Sequence, residues 1–246
     1  EANRPPLLPL RKDPIMRWLL LAAVSVSVAL ARAEGAEPAA DPRQLSEQER
    51  QEGFVPLFDG KTLNGWVGVK GSTDSYYVRD GLLICKKDGK EHIFTEREFA
   101  DFILRLDIQF EPGGNNGVGI RTKISRAPHL EGMEIQVLDD DAPKHAAIHA
   151  YQHHGSIYGV VPARPGHLKP AGEWNQEEII CQGRRVKVIL NGTVIVDANL
   201  DDYAGKPGMD GQDHPGLLYT KGHIGLHAHG NGEEVAFRNL RIKELK

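Results

Sequence analysis

Glu134 and Gln136 stand two residues apart in Gly132-Met-Glu-Ile-Gln-Val-Leu-Asp139, and a run of Asp139, Asp140, Asp141, His145, His149, His153 and His154 follows. Carboxylates and imidazoles in this density can trade protons near neutral pH or ligate a metal, so chemistry is expected between Gly132 and Gly159. Alternate side chains of a β-strand share a face. Glu134, Gln136 and Leu138 therefore project together, while Ile135 and Val137 project the other way. A polar row backed by an apolar row describes either a solvated outer sheet face or a concavity lined for a ligand. Arg121 and, later, His223, Gly225 and His227 have the parity to join that row if Ile120, Ile224 and Leu226 face a core.

The strand resembles the Glu-x-Asp-x-x-Glu strand of sandwich-fold β-glucanases, which use two carboxylates. Here Gln136 takes the central position, and a glutamine has no proton to trade. Asp139 falls on the opposite parity unless the strand bulges or has ended. A two-carboxylate glycosidase is disfavoured on both counts. His145, His149 and His153 lie four apart, so a short helix would align them as metal ligands; the competing reading is a solvated loop, since they match no ligand motif such as H-E-x-x-H. His154-Gly155 and Tyr158-Gly159 each join a polar ring to a glycine that permits close approach to a ligand. Trp174 either stacks on a sugar ring or plugs one end of the core. His229-Gly230 ends a strand, where both functional and structural histidines occur.

The elements that must position these residues read as strands. Phe102, Leu104, Leu106, Ile108 and Phe110 recur at every second position, the period of a half-buried strand. Tyr76 to Val78 and Leu82 to Cys85 flank Arg79-Asp80-Gly81 as a hairpin, and Asn191-Gly192 marks a second between 185–190 and 194–196. Glu111 to Gly117 reads as a turn cluster before a strand over 118–122. Further strands are expected over 178–182, 223–229 and 234–242, the last with a bulge near Asn239. Short strands, frequent turn signals and no convincing amphipathic helix predict an all-β sandwich.

The chain has 246 residues, 30 basic and 34 acidic side chains and a net charge of -4, with no basic run after its first segment, which argues against a nucleic-acid partner. Met16-Arg17, the apolar run Trp18 to Leu30 and Ala31-Arg32-Ala33 have the order of a secretory signal peptide, with an uncleaved anchor as the competing reading. Residues 1–15 read as an upstream extension, with Met16 the natural start. Residues 1–33 are therefore set apart from the fold, 34–52 read as a linker with one helical turn around Ser46 to Gln51, and 53–246 as a single domain. An exported, periplasmic or extracellular protein with no membrane span after cleavage is expected. Cys85 and Cys181 either pair or are ordinary buried thiols.

Taken in order, Leu57-Phe-Asp-Gly-Lys-Thr-Leu-Asn-Gly-Trp66, Asn116-Gly-Val118, Glu134-Ile-Gln-Val-Leu-Asp139, His154-Gly-Ser-Ile-Tyr-Gly159, Gly172-Glu-Trp-Asn175, Leu190-Asn-Gly192, Gly222-His-Ile-Gly-Leu226, His229-Gly230 and Phe237-Arg-Asn-Leu-Arg-Ile242 resemble the 3-keto-disaccharide hydrolase family, also described as 3-keto-glucoside 1,2-lyase and 3-keto-2-hydroxy-glucal hydratase domains. The resemblance covers residues 53–246. It implies a concanavalin-A-like jelly-roll sandwich of two antiparallel sheets, bacterial export, and a 3-keto-glucoside or other glycan as partner. A ketone at C3 acidifies the C2 proton and places the C1 oxygen β to the carbonyl, so one base can start elimination and water can add back. On that chemistry His154 is expected as base or acid with Glu134 as its partner. Arg121 and Gln136 would act as donors to the keto-sugar, with Asp139, Tyr158, Trp174 and His229 lining the site. A divalent ion could polarise the ketone, its ligands unassigned. The competing readings are a non-catalytic glycan-binding module and a structural module, because one fold hosts lectins and enzymes alike.

Overall fold

The computed structural model describes residues 45–246. The expected extension, leader and export signal lie outside the described residues. Helix α1 (Glu47–Glu52) opens the described chain. Ser46 caps it in a reciprocal box with Glu49, and Gly53 closes it at φ 89. Glu49 Oε1 accepts from Arg241 Nε at 2.5 Å, which ties this turn to the body of the domain.

Among the described residues the strands are β1 (Val55–Pro56), β2 (Trp66–Gly68), β3 (Tyr76–Arg79), β4 (Leu82–Cys85), β5 (Ile93–Phe99), β6 (Phe102–Phe110) and β7 (Asn115–Thr122). They continue as β8 (Met133–Leu138), β9 (Asn175–Gln182), β10 (Arg185–Leu190), β11 (Thr193–Asn199), β12 (Gly222–Leu226) and β13 (Val235–Glu244). One sheet runs β11-β10-β9-β6-β13-β4-β3, with β1 added to β13; the other runs β2-β5-β12-β7-β8. The pairings are antiparallel. This is the all-β sandwich that the alternation predicts, with the two antiparallel sheets of the jelly roll that the family resemblance implies.

Period two explains the core. Phe102, Leu104, Leu106, Ile108 and Phe110 of β6 form one buried cluster with Val118, Ile120, Ile135, Val137 and Ile224 of the smaller sheet. Asp80 and Gly81 adopt φ 53 and 78 in the β3–β4 turn, and Asn191 and Gly192 adopt 49 and 85 in the β10–β11 turn, the double positive φ of a two-residue hairpin. The register of β13 shifts between Arg238 and Arg241, with Asn239 at φ 55, where the bulge is expected. Cys85 and Cys181 are unpaired, and burial pushes their thiols up to about 11 and about 12.

Three local expectations change. Strand β7 starts at Asn115 rather than 118, because Asn115 and Asn116 pair with Leu138 and Val137 of β8. The Asn116 amide also finds a buried partner in the Tyr76 hydroxyl at 3.1 Å, which lets a turn-forming residue sit in a strand. Strand β9 starts at Asn175 rather than 178. Between β8 and β9 the chain makes short 3-10 turns at Pro143–His145 and Ala150–Gln152 instead of a helix, so His145, His149 and His153 form no row. His149 stacks on Tyr151 with ring centroids 5.3 Å apart, and His153 Nδ1 lies 3.3 Å from Asp140 Oδ2. No helix among the described residues is long and apolar enough to cross a membrane.

Candidate active site

The outer face of β7 is built from glycines. A Cβ on Gly117 would overlap the Glu134 carboxylate, and one on Gly119 would overlap His227 Nε2. Side chains from the neighbouring strands therefore fold across bare backbone, and this close approach is what the glycines permit. Gly117 faces Gln136 across the β7–β8 ladder, and its carbonyl accepts from His227 N at 2.9 Å, extending the β12 pairing past Leu226.

Glu134, at 4% exposure, is the centre of the arrangement. Its Oε1 lies 3.3 Å from His227 Nδ1 and 3.5 Å from His229 Nε2. These are close approaches rather than aligned hydrogen bonds, and both Oε1 and His227 Nδ1 are buried without a hydrogen-bond partner. Buried polar atoms left this way are costly and concentrate where a ligand completes them. Burial alone would raise the Glu134 carboxyl, but His227 and His229 more than offset it and hold the group well below the usual carboxylate range. His92 packs on His227 with centroids 5.2 Å apart; burial, then the two neighbouring imidazoles, push it down to about 4, so it is neutral at pH 7.

A cavity of about 250 Å3 opens over Glu134 and Gln136. Asn115, Leu138, His145, Ile148, Gln152, Tyr158, His129 and His229 complete its walls. The side-chain oxygens of Gln136 and Asn115 are buried and unpartnered. Burial raises the Tyr158 phenol and lowers the His129 imidazole, so at neutral pH the first is a donor hydroxyl and the second mainly a neutral ring. The site thus combines a fixed carboxylate, an imidazole at its mouth and several polar groups free to hydrogen-bond a ligand. Glu134 with His227 and His229 gathers the donor types a metal would use. Among the described residues, however, no three His, Cys, Asp or Glu side chains converge as a preformed metal set.

Of the residues expected from sequence, Glu134, Gln136, Tyr158 and His229 meet at this cavity. His154 does not. It lies between the sheets, with Nε2 3.1 Å from Glu177 Oε2 of β9 and Nδ1 accepting from Leu138 N at 3.2 Å. Arg121 also departs: at φ 48 it breaks the strand alternation, and its guanidinium donates to Ala100 O, Gly183 O and Asp101 Oδ1, each at 2.8 Å. Its charge is spent joining loops. Asp139 accepts from Gly113 N at 2.7 Å and so anchors the loop instead of lining the cavity. Trp174 is half-buried beneath Arg238, whose guanidinium carbon sits 4.0 Å from the ring centroid, on the other sheet. His223 turns to the Thr95 carbonyl at 2.7 Å.

Asn115, His129, His145, Ile148 and Gln152 line the cavity beyond the residues expected, and His227, to which parity pointed, meets Glu134 without lining it. His227 follows the parity set by Ile224 and Leu226, which face the core as that reading required. The others come from loops or from a strand end hidden inside a turn-like run.

The two-sheet antiparallel sandwich with an acid–base cluster sunk into its smaller sheet places the protein among the jelly-roll domains, an architecture shared with lectins. The chain belongs to the 3-keto-alpha-glucoside-1,2-lyase-like domain family, whose profile matches residues 53–243. A 3-keto-disaccharide hydrolase of Bacteroides thetaiotaomicron is 28% identical, the match covering 79% of each chain. Two crystal structures from Parabacteroides distasonis, both provisionally named glycosyl hydrolases, superpose with TM-scores of 0.69 and 0.72. They are 31% and 26% identical and cover 78% and 83% of this chain, each along 99% of its own length. These likenesses support a carbohydrate-processing enzyme.

Proposed function

We propose that this protein cleaves 3-keto-glycosides by abstraction of the C2 proton with loss of the C1 aglycone, by hydration of the resulting glucal, or by both in sequence. The observation that carries this reading is the approach of one buried carboxylate oxygen, on Glu134, to His227 and His229 inside a cavity of sugar-bonding groups. His229 is the more accessible of the two, with its side chain 33% exposed, and takes the role of base. Glu134 stays ionised, orients the imidazole through Nε2 and stabilises the imidazolium formed when the opposite ring nitrogen, Nδ1, accepts the C2 proton. The electron pair left at C2 delocalises onto the C3 oxygen, where Tyr158 and the Gln136 amide supply hydrogen bonds. The C1–O bond then breaks, and the aglycone oxygen takes a proton from an imidazole or from water. Addition of water across the C1–C2 double bond returns a proton to C2 and completes a net hydrolysis.

This mechanism uses no oxocarbenium-type carboxylate pair, consistent with a glutamine at position 136. If a divalent ion takes part, Glu134, His227 and His229 supply the donor types to hold it, and it would polarise the ketone. Export remains part of the proposal, supported by the Met16-Arg17, Trp18 to Leu30 and Ala31-Arg32-Ala33 sequence. The test is incubation with a 3-keto-glucoside in deuterated water. Deuterium at C2 or release of the aglycone is expected; binding with neither reaction overturns the enzyme reading and leaves a glycan-binding module.

A further inference from the structure

A second buried carboxylate–imidazole pair, Asp210 with His214, lies behind the cavity wall and has no part in the chemistry proposed above. The two side chains are 7% and 2% exposed, and His214 Nε2 donates to the carboxylate, with its oxygens at 3.1 and 3.2 Å. Asp210 Oδ1 also accepts from Gln212 N at 3.0 Å, and the Gln212 carbonyl accepts from Gly208 N at 2.7 Å. The loop from Gly208 to His214 is thereby closed on itself.

This loop presses on the turn that carries Tyr158. Tyr158 and Gly159 form the corner of a turn closed by Val160 N and Ile157 O at 2.9 Å, and Gly159 takes φ 73 there. A Cβ on Gly159 would lie 2.6 Å from Asp210 Oδ2 and 2.7 Å from His214 Nε2, so the pair packs on bare backbone. Met209 N donates to the Gly159 carbonyl at 2.6 Å, while Tyr158 N donates to Glu134 O at 2.9 Å. Tyr158 is therefore gripped between β8 on one side and the Asp210 loop on the other. Farther along, Gly216 N donates to Leu130 O at 2.9 Å, next to His129, whose ring stands edge to face with Tyr158 at 6.0 Å between centroids. The phenol itself has only a long contact, from Gln152 Nε2 at 3.4 Å, so its aim is set by the turn beneath it.

We infer that Asp210 and His214 are positioning residues that aim the Tyr158 hydroxyl at the C3 oxygen of the substrate. The inference rests on the proposed role of Tyr158 as a donor to that oxygen as charge builds on it. A donor contributes most when it is held in place before the charge develops, and a rigid pair behind a side-chain-free turn supplies that rigidity without touching substrate.

The experiment measures kcat and KM for C2 deuterium exchange of methyl 3-keto-glucoside by the wild-type protein, His214→Gln, Tyr158→Phe and the double variant, with circular dichroism on each. His214→Gln should lower kcat by about tenfold to a hundredfold and leave KM within about twofold. In the Tyr158→Phe background it should add nothing, because the group it aims is gone. A wild-type kcat in His214→Gln, or the same loss with and without the Tyr158 hydroxyl, overturns the inference. Asp210→Asn, which keeps the shape of the pair, takes the place of His214→Gln if that variant does not fold; failure of both to fold makes the pair a folding element and overturns the inference as well. An undiminished kcat in Tyr158→Phe removes the target of the pair while leaving the proposed reaction standing. A wild-type protein that neither exchanges C2 nor releases methanol removes the reaction and the inference together.

Discussion

Glu134 occupies the volume that a side chain at Gly117 would need, because a Cβ there would overlap Oε1, Cδ and Cγ of the carboxylate arm. The glycine is thus part of the site's geometry, although it contributes no functional atom. Gly119 stands in the same relation to His227.

Gly117→Ala should therefore damage the site more than the fold. The flexible carboxylate arm can swing away at modest cost, but it then leaves His227 and His229. We expect kcat/KM to fall by about tenfold to a hundredfold, the usual penalty for misplacing a reacting group, with the circular dichroism spectrum unchanged. Full activity in the variant would show that the carboxylate position does not matter.

His229→Ala and His154→Ala should separate catalysis from stability. Loss of His229 removes the base, so C2 exchange should slow by about a hundredfold or more. Loss of His154 strands the Glu177 carboxylate between the sheets, at a cost of roughly 3 kcal/mol when its buried partner is removed. Urea denaturation and deuterium exchange measured on both variants check the two roles; exchange abolished by His154→Ala in a folded protein would return that residue to the chemistry.

Arg121→Lys should weaken the domain and spare the site. A lysine cannot reproduce the fork that reaches Ala100 O, Gly183 O and Asp101 Oδ1. The loss should be about 2 kcal/mol, the range for hydrogen bonds to a charged group, read as a lower denaturation midpoint with KM unaltered. A raised KM at constant stability would contradict this placement.

His92 should impose a pH dependence on stability. Its folded pKa of about 4 lies below the unfolded value of roughly 6.5, so the unfolded chain binds the proton first as pH falls. The contribution is full above about pH 6.5, declines toward pH 4 and levels off below it. Glu134, also depressed, adds a loss beginning near the ordinary carboxylate range. Thermal unfolding of wild-type and His92→Gln protein between pH 4 and 7.5 tests this, and parallel curves would count against it.

Much of the architecture is local and was legible. The β6 alternation, the Asp80-Gly81 and Asn191-Gly192 turns and the bulge at Asn239 depend on neighbours within a few residues. The shared face of Glu134 and Gln136 follows from the same strand parity. Arg121 escaped the rule because one left-handed residue reverses the sequence of sides. His154 was misplaced for another reason: a loop residue has no parity, and its side chain turns back beneath β8 to meet Glu177.

Sequence alone determined that this chain forms a two-sheet sandwich and that one strand presents a carboxylate beside an amide. Only the tertiary structure decided which imidazole meets that carboxylate. Antiparallel pairing of β12 with β7 brings His227 over bare glycine backbone and, with His229, to the Glu134 carboxylate across more than ninety residues of chain. Strand periodicity is set between neighbours, whereas the partner of a buried charge is set by which distant strands lie side by side.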